Sequence, residues 1–532
     1  MRVWVVSREY AGIAEAGGVK NVACSLSETL VQLGHAVTLF IPLYGCTDLS
    51  HVKDYSCIWH RPVNMHAWGM LQHVGFSHGY MNGVEIVFVS APPFYKKKAV
   101  YTYTKSEERQ DPRHKKGTGH EDSPLLNTLF QKAVIEYAGT CEGHEAPQIL
   151  HCQDATTALI PVLLAYRSRM KTEIASFFSR TACLVTIHNA GPGYHHSYES
   201  LEAASRCTGL PVQWLEGGLN GTSVEPFLLA ADHAVLTTVS PQYAEEIMAG
   251  TTETAGLSEH FRAKGISIEG ITNGIDFEKY NPADTAASLL PFAFDPENLD
   301  LEGKYHCRRH FLQLYAAKNI SSIASSQKGE AAIEKHGFLA EGEGEGPPIY
   351  ISYHGRIVRQ KGIDILSRAA DVLLAKELPL RFIIFGQGEA VLENELASLA
   401  ERYPGKVVYL CGYDRSLSRL CTASADFAVF PSTFEPCGLE DFIAQLFGTL
   451  PVAHATGGLK KIIDNETGFL YSPCTSERLC EVLESLAKTK KTSPEMFESM
   501  VKHAARHVRT TYSWRSVVQN HYLALYQKIS KK

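Results

Sequence analysis

A chain of 532 residues with a formal net charge of -6 has room for two or three domains with sizeable cores. Its acidic balance excludes nucleic acid as the main partner, because holding a phosphate backbone takes a basic face. No apolar run reaches the roughly 18 residues a membrane helix needs, and the thirteen cysteines, an odd number with no C-x-x-C pair, point to neither a disulfide framework nor a zinc site. The opening MRVWVVSREYAG is broken by charge at Arg8 and Glu9, so it reads as a strand and not as a signal peptide. A soluble, cytoplasmic protein without membrane association is expected.

The first half opens with a βαβ unit: strand Val3 to Val6, a Gly-rich loop closing on Gly17 and Gly18, a helix to about Leu33, then Gly34 and strand Val37 to Ile41. The polar stretch Lys96 to Asp122 reads as a long surface loop, followed by a helix from about Pro124 to Tyr137. Strands at Ile149 to Cys152, Cys183 to Ile187, Ala234 to Val239 and Ser267 to Ile271 continue the alternation. Between Gln327 and Pro348 the composition turns to QKGEAAIEKHGFLAEGEGEGPP, a Gly/Glu-rich run read as a linker or surface insertion.

The second half carries strands at Ile349 to Tyr353, Phe382 to Phe385, Val407 to Leu410, Phe427 to Phe430 and Leu450 to Ala453, with helices between. Its densest segment is PSTFEPCGLEDFIAQLFGTLPVAHATGGL, from Pro431 to Leu459. Pro431 stops a buried strand, and from Gly438 the apolar residues Leu439, Phe442, Ile443, Leu446 and Phe447 follow a helical period. Glu435 therefore stands in a strand-to-helix loop at the carboxyl edge of a sheet, where open α/β folds bind ligands and free helix N–H groups meet phosphate or hydroxyl oxygens. Gly386 and Gly388, in FGQGE, form another such turn. The chain ends in a helix, Tyr512 to Lys528.

At these residues the chain resembles the retaining glycosyltransferases of the glycogen/starch synthase family, whose members read PSxFEPCGL and then TGGL after a GTxP turn. The resemblance recurs in family order: VWVVSREYAGIAEAGGVKNV is similar to the family's opening strand and K-x-GGLADV loop, and TIHNAGPGY (Thr186 to Tyr194) to TIHNxxYQG. TTVSPQYAEEI, GITNGIDFEKYNP and HGRIVRQKGIDIL follow. It weakens at about Cys46 to Gly119 and Gln313 to Gly346. The implied fold is GT-B, two doubly wound Rossmann-like α/β domains facing across a cleft. Residues 1–280 would form the acceptor-side domain, with the terminal helix 511–532 packing back on it, residues 281–348 a connecting segment and insertion, and residues 349–510 the nucleotide-sugar domain.

The implied activity is transfer of glucose, with retention, from a nucleoside diphosphate glucose to the non-reducing end of an α-1,4-glucan such as glycogen. ADP-glucose is the family's ordinary donor. Arg356 and Lys361 stand at the family's two phosphate-binding cations, where fixed positive charge stabilises the leaving diphosphate. The donor diphosphate would lie near them, between the halves. His188 would contact the donor glucose, with Asn189 beside it. Glu435 would bind glucose hydroxyls, while Cys437, Gly438 and Leu439, then Thr456, Gly457 and Gly458, approach the donor closely. Gly17, Gly18, Asn21 and Asp154 complete the set on the first half. His195 and His196 match no family position. The departing phosphate would help deprotonate the acceptor, so no second carboxylate is required; no metal and no cofactor is expected.

The departures fall near the same positions. Glu15 stands where the family has a phosphate-binding Lys, which would turn attraction into repulsion. Asn21 replaces an Asp, Ala155 and Thr156 replace the Trp-His after Asp154, and Glu440 and Asp441 replace Thr-Gln and add negative charge near the diphosphate. His188, Arg356, Lys361 and Glu435 all remain, so the sequence reads as a working enzyme. The alternatives are a GT-B transferase using UDP-glucose or another acceptor, and a non-catalytic glucan-binding or regulatory relative. A nicotinamide dehydrogenase would need G-x-G-x-x-G after its first strand, and residues 7–18 lack it.

Overall fold

The computed structural model describes every residue except 66–69, 141–144, 321, 327–331, 341–346, 377 and 532. The chain divides into two compact units, Met1–Gly274 with Trp514–Lys532, and Ile275–Ser513. Residues 275–280, expected with the first domain, belong to the second unit, and so does the segment expected to connect the domains, 281–348.

In the first unit the strands are β1 (Arg2–Val6), β2 (Ala36–Pro42), β3 (Lys53–Met65), β4 (Met70–Met81), β5 (Val84–Ser90), β6 (Ile149–Gln153), β7 (Ala182–Ile187), the short pair β8 (Leu219–Asn220) and β9 (Ser223–Val224), β10 (Val235–Thr238) and β11 (Ile268–Gly270). The main sheet runs β11-β10-β7-β6-β1-β2-β5-β4-β3. From β11 to β5 it is parallel, and β3, β4 and β5 add an antiparallel edge. Strand order reverses between β1 and β6. That is a topological switch point, where the loops leaving two neighbouring strands part and open a crevice.

The second unit carries β12 (Ser322–Ile323), β13 (Ile333–Leu339), β14 (Ile349–His354), β15 (Leu380–Gly386), β16 (Lys406–Cys411), β17 (Phe427–Phe430), β18 (Leu450–His454) and β19 (Phe469–Tyr471). They are ordered β12-β13-β16-β15-β14-β17-β18-β19, so the reversal here lies between β14 and β17. Alternate residues of the central strands feed two separate cores. Ile351, Phe382, Ile384, Val407, Tyr409 and Phe427 pack on one side, and Tyr350, Ile383, Phe385, Val408 and Leu410 on the other. Burial on both faces is why these strands read as unbroken apolar runs.

Three local expectations need correction. The run 327–348 is not simply a linker: β13 lies within it and pairs antiparallel with β16 from Glu334 to Leu339, while 327–331 and 341–346 lie outside the described residues. The stretch Lys96 to Asp122 contains the helix Lys105–Gln110 and buries Lys97, Val100, Tyr103, Glu107 and His120, so much of it is packed, not a surface loop. The terminal segment is not one regular helix. It runs Trp514–Val517, a wider turn Val518–Tyr522, then Leu523–Ile529. Tyr526 there donates or accepts a 2.8 Å hydrogen bond with His151 of β6.

Candidate active site

In the first unit the sequence-predicted residues gather at the carboxyl ends of β1, β6 and β7. The loop after β1 is built around two buried side chains. Arg8 donates to Tyr44 Oη (2.9 Å), Asn127 Oδ1 (2.6 Å) and the Val100 carbonyl (2.8 Å). It thereby fastens the 96–122 segment to the strand end. Glu9 accepts from the amides of Ala16 (3.1 Å) and Gly17 (2.5 Å) and from Tyr101 Oη (3.3 Å). Burial raises the Glu9 pKa, and those two amides pull against it. Gly17, Gly18 and Asn21 are exposed at the start of the helix Val19–Gln32.

Glu15 departs from the expectation of an unbalanced charge. Its carboxylate accepts from the Gly12 amide at 2.8 Å and pairs with Lys20 Nζ at 2.7 Å. The family's cation is missing at position 15, and the negative charge that replaces it is matched by Lys20 in the first turn of the following helix.

After β6, Asp154 adopts a left-handed backbone (φ 68°) and receives the His188 amide at 3.4 Å. Burial pushes its carboxyl up to about 7, against the His188 and Ala155 amides. After β7, His188 Nε2 donates to Gln153 Oε1 at 2.8 Å, which leaves Nδ1 as the ring's acceptor. Burial holds His188 down at about 3, so it is neutral throughout the physiological range. Asn189 turns its Oδ1 onto the Gly191 amide of its own loop (2.8 Å). The Ala190 amide donates to Tyr243 Oη at 2.9 Å. His195, without a motif match, is buried between the Ala190 carbonyl (2.8 Å) and Glu225 (3.2 Å).

In the second unit the residues meet at the carboxyl ends of β14 and β17, adjacent parallel strands at the reversal. The loop after β14 carries Arg356 and Lys361, and that after β17 carries Glu435. The two loops are sewn together: the Thr433 amide donates to the Gln360 carbonyl (3.0 Å) and Gln360 Nε2 to that of Phe434 (3.3 Å). Lys361 Nζ is ion-paired with Glu435, which also accepts from Ser432 Oγ at 3.2 Å. Arg356 is exposed and has no ion-pair partner among the described residues. The FGQGE turn packs beside them, the Ile357 amide donating to the Gln387 carbonyl and the Glu389 amide to that of Ile357.

The two glycine turns interlock. Gly438 takes φ 75°, a conformation costly for any residue with a Cβ. A Cβ at Gly458 would fall 2.0 Å from the Cys437 carbonyl oxygen, so only glycine lets TGGL lie on the PCGL turn, where the Gly458 amide donates to the Glu435 carbonyl at 2.8 Å. Lys461 is the rivet. Its Nζ lies within 3.0 Å of the carbonyls of Cys437, Gly438 and Gly458 and 2.9 Å from Asp441 Oδ1, with the Phe442 ring 4.4 Å away. Burial pushes the Asp441 carboxyl up to about 6 while the Lys461 ammonium opposes it, so it is ionised at neutral pH. Glu440 pairs with His354 at 2.5 Å. Burial opposes its charge, but His354, Lys361 and Arg419 prevail and lower its pKa. The added negative charge at 440 and 441 is thus answered locally. Thr456 and Leu439 sit in these same turns, half-buried. Among the described residues no group of three or more His, Cys, Asp or Glu is placed to hold a metal ion.

Sequence reasoning missed Glu9, which closes its own loop on the Ala16 and Gly17 amides, and Tyr101, Gln153, Tyr243 and the His195–Glu225 pair, each with a partner 30 or more residues away. Lys461 carried a local signal, the second of two lysines after TGGL, facing Asp441, the second of two acidic residues after CGL.

Residues 2–263 match the family described as "Starch synthase catalytic domain", and residues 339–506 match "Glycosyl transferases group 1". The glycogen synthase of Aeromonas salmonicida is 26% identical over 99% of this chain and 98% of its own. That of Thermodesulfovibrio yellowstonii is 28% identical over 99% and 97%. Among solved structures, the catalytic domain of starch synthase IV from Arabidopsis thaliana, bound to ADP and acarbose, superimposes with a TM-score of 0.77 over 100% of this chain and 99% of its own at 23% identity. Sucrose-phosphate synthase from Thermosynechococcus elongatus superimposes with a TM-score of 0.56 at 15% identity, over 100% of both chains. Two doubly wound units, two glycosyltransferase matches in order along the chain and relatives aligned end to end agree: the chain belongs to the glycogen/starch synthase family of glycosyltransferases and has the GT-B fold.

Proposed function

We propose that this enzyme transfers glucose from ADP-glucose to the non-reducing end of an α-1,4-glucan with retention of configuration. The second unit is the nucleotide-sugar side and the first the acceptor side. The observation that carries the reading is the pairing of Lys361 with Glu435 at the β14/β17 switch point, with Arg356 exposed on the same loop as Lys361. Cations and a carboxylate at one sheet edge suit a ligand that is anionic at one end and hydroxylated at the other. Lys361 and Arg356 would take the diphosphate, as a point charge and a bidentate fork. Glu435, released from Lys361, would accept from glucose hydroxyls, while the amides of the interlocked turns approach the sugar.

His188 is neutral and is not a proton donor from an imidazolium; its role is to orient the sugar. The leaving phosphate takes the acceptor proton on the face it departs from, so charge develops where the cations stand. Among the described residues no helix is long and apolar enough to cross a membrane, and the described cysteines are free thiols, as in a reducing compartment; action in the cytoplasm is part of this reading. The test is a turnover assay on glycogen with ADP-glucose and with UDP-glucose, the new linkage read by NMR. Release of ADP with an α-linked product is expected. Preference for UDP-glucose overturns the donor assignment; a β-linked product, or no transfer from either donor, overturns the reaction.

A further inference from the structure

We propose that His195 and Glu225 form a charged positioning pair that grips the peptide next to His188 and Asn189, and that loss of its proton sets an alkaline limit on the reaction. The argument starts from hydrogen-bond chemistry. His195 Nε2 is 2.8 Å from the Ala190 carbonyl and Nδ1 is 3.2 Å from a Glu225 carboxylate oxygen. A carbonyl and a carboxylate only accept, whereas a neutral imidazole has one N–H. With Glu225 ionised, a neutral ring would therefore aim a lone pair at one of its two partners, and only the imidazolium satisfies both.

The pair is out of solvent, with side chains 4% and 3% exposed, so screening is weak and the attraction correspondingly strong. Glu225 is fixed by its own backbone, its amide donating to the Gly218 carbonyl at 2.7 Å and its carbonyl receiving the Leu229 amide. On the other side, the Ala190 amide is held by Tyr243 Oη, so Ala190, two residues beyond His188, is held at both its amide and its carbonyl, in the two peptide units that flank it. The charges that bear on His195 are Glu225 and Asp154; the neighbouring His196 is held down at about 4 by burial, with Arg8 and His195 adding to it, and so is neutral in this range, and Phe227 presents its ring at 6.5 Å. Burial alone would lower the His195 pKa, but the Glu225 and Ala190 hydrogen bonds and the Glu225 and Asp154 charges outweigh it and raise it. A raised histidine pKa means the pair is intact below it and lost as pH rises through it.

The link to turnover rests on His188 and Asn189 serving the donor, as proposed above. The experiment pairs NMR of histidine-labelled protein across the neutral and alkaline range, with His195→Gln to assign the ring, and turnover of wild type and Glu225→Gln. The carboxamide introduced by Glu225→Gln could donate an N–H to the Nδ1 of a neutral ring and leave the ring's Nε2–H on Ala190, so this variant should keep the grip without the charge. Expected are a doubly protonated His195 at neutral pH, a His188 signal that moves as His195 deprotonates, and a wild-type kcat that falls several-fold alongside. Glu225→Gln should show neither the His188 movement nor the alkaline fall. A neutral His195 ring at neutral pH, a His188 signal indifferent to it, or the same alkaline profile in both proteins overturns the pair. A protein inert on glucan that shows the expected NMR shifts sinks the proposed reaction and leaves the pair standing.

Discussion

Glu435 and Glu15 show how little a charged residue's identity says until its partner is known. Glu435 is held by Lys361 and Ser432, so its carboxylate is both a counter-ion and, on the proposed reading, a sugar ligand. Glu435→Gln keeps the shape and removes the charge; turnover should fall by roughly 10², the scale of losing one transition-state hydrogen-bonding group. Nucleotide release from ADP-glucose measures it, and an unchanged rate would reduce Glu435 to a counter-ion. Glu15, by contrast, closes its own loop through Gly12 and Lys20. Glu15→Lys should therefore leave nucleoside diphosphate affinity unchanged or weaken it, because it sets two cations against each other. Dissociation constants at low and high ionic strength decide the point: a gain that shrinks with salt would mean the side chain faces the diphosphate after all.

At the scale of elements, the geometry of the proposed donor site depends on two interlocked glycine turns. PCGL is irregular backbone and TGGL opens a short 3-10 helix, Gly457–Lys461, and Lys461 satisfies three of their carbonyls while Asp441, at the first turn of the helix Glu440–Leu446, balances its charge. Removing one partner of a buried pair leaves the other uncompensated, at about 3–5 kcal/mol, whereas removing both is far less costly. Lys461→Met and Asp441→Leu should each lower the denaturant midpoint, and the double variant should lower it by less than the sum. Strict additivity would mean the two do not act as a unit. The same logic explains the short helix Lys105–Gln110 and its surroundings, where Lys97 reaches Asp122 at 2.6 Å and charged residues are packed because each has a partner.

At the scale of the molecule, what could be read from the chain was what repeats locally. Central strands such as Phe382 to Phe385 are apolar on both faces, and each motif follows a strand, so the doubly wound pattern and the residues at its carboxyl edges were legible. The antiparallel edge from Lys53 to Ser90 was not, because its strands mix polar and apolar residues and their pairing is fixed across the hairpins. Nor was β13, whose Glu334, Lys335 and His336 look like surface residues until Cys411, Leu410 and Tyr409 stand beside them. Arg8 is the extreme case: its partners Tyr44, Val100 and Asn127 lie 36, 92 and 119 residues away, beyond any local pattern. What was legible also bears on the chemistry, since Arg356 and Lys361 are supplied by the fold itself at the β14 edge. Fixed side-chain cations do for a leaving diphosphate what a bound divalent ion does elsewhere, without an exchangeable component. Turnover should therefore survive exhaustive treatment with EDTA, and added magnesium should not rescue Lys361→Ala. Activity that vanishes on chelation and returns with magnesium or manganese would show that these two cations do not suffice for the leaving group.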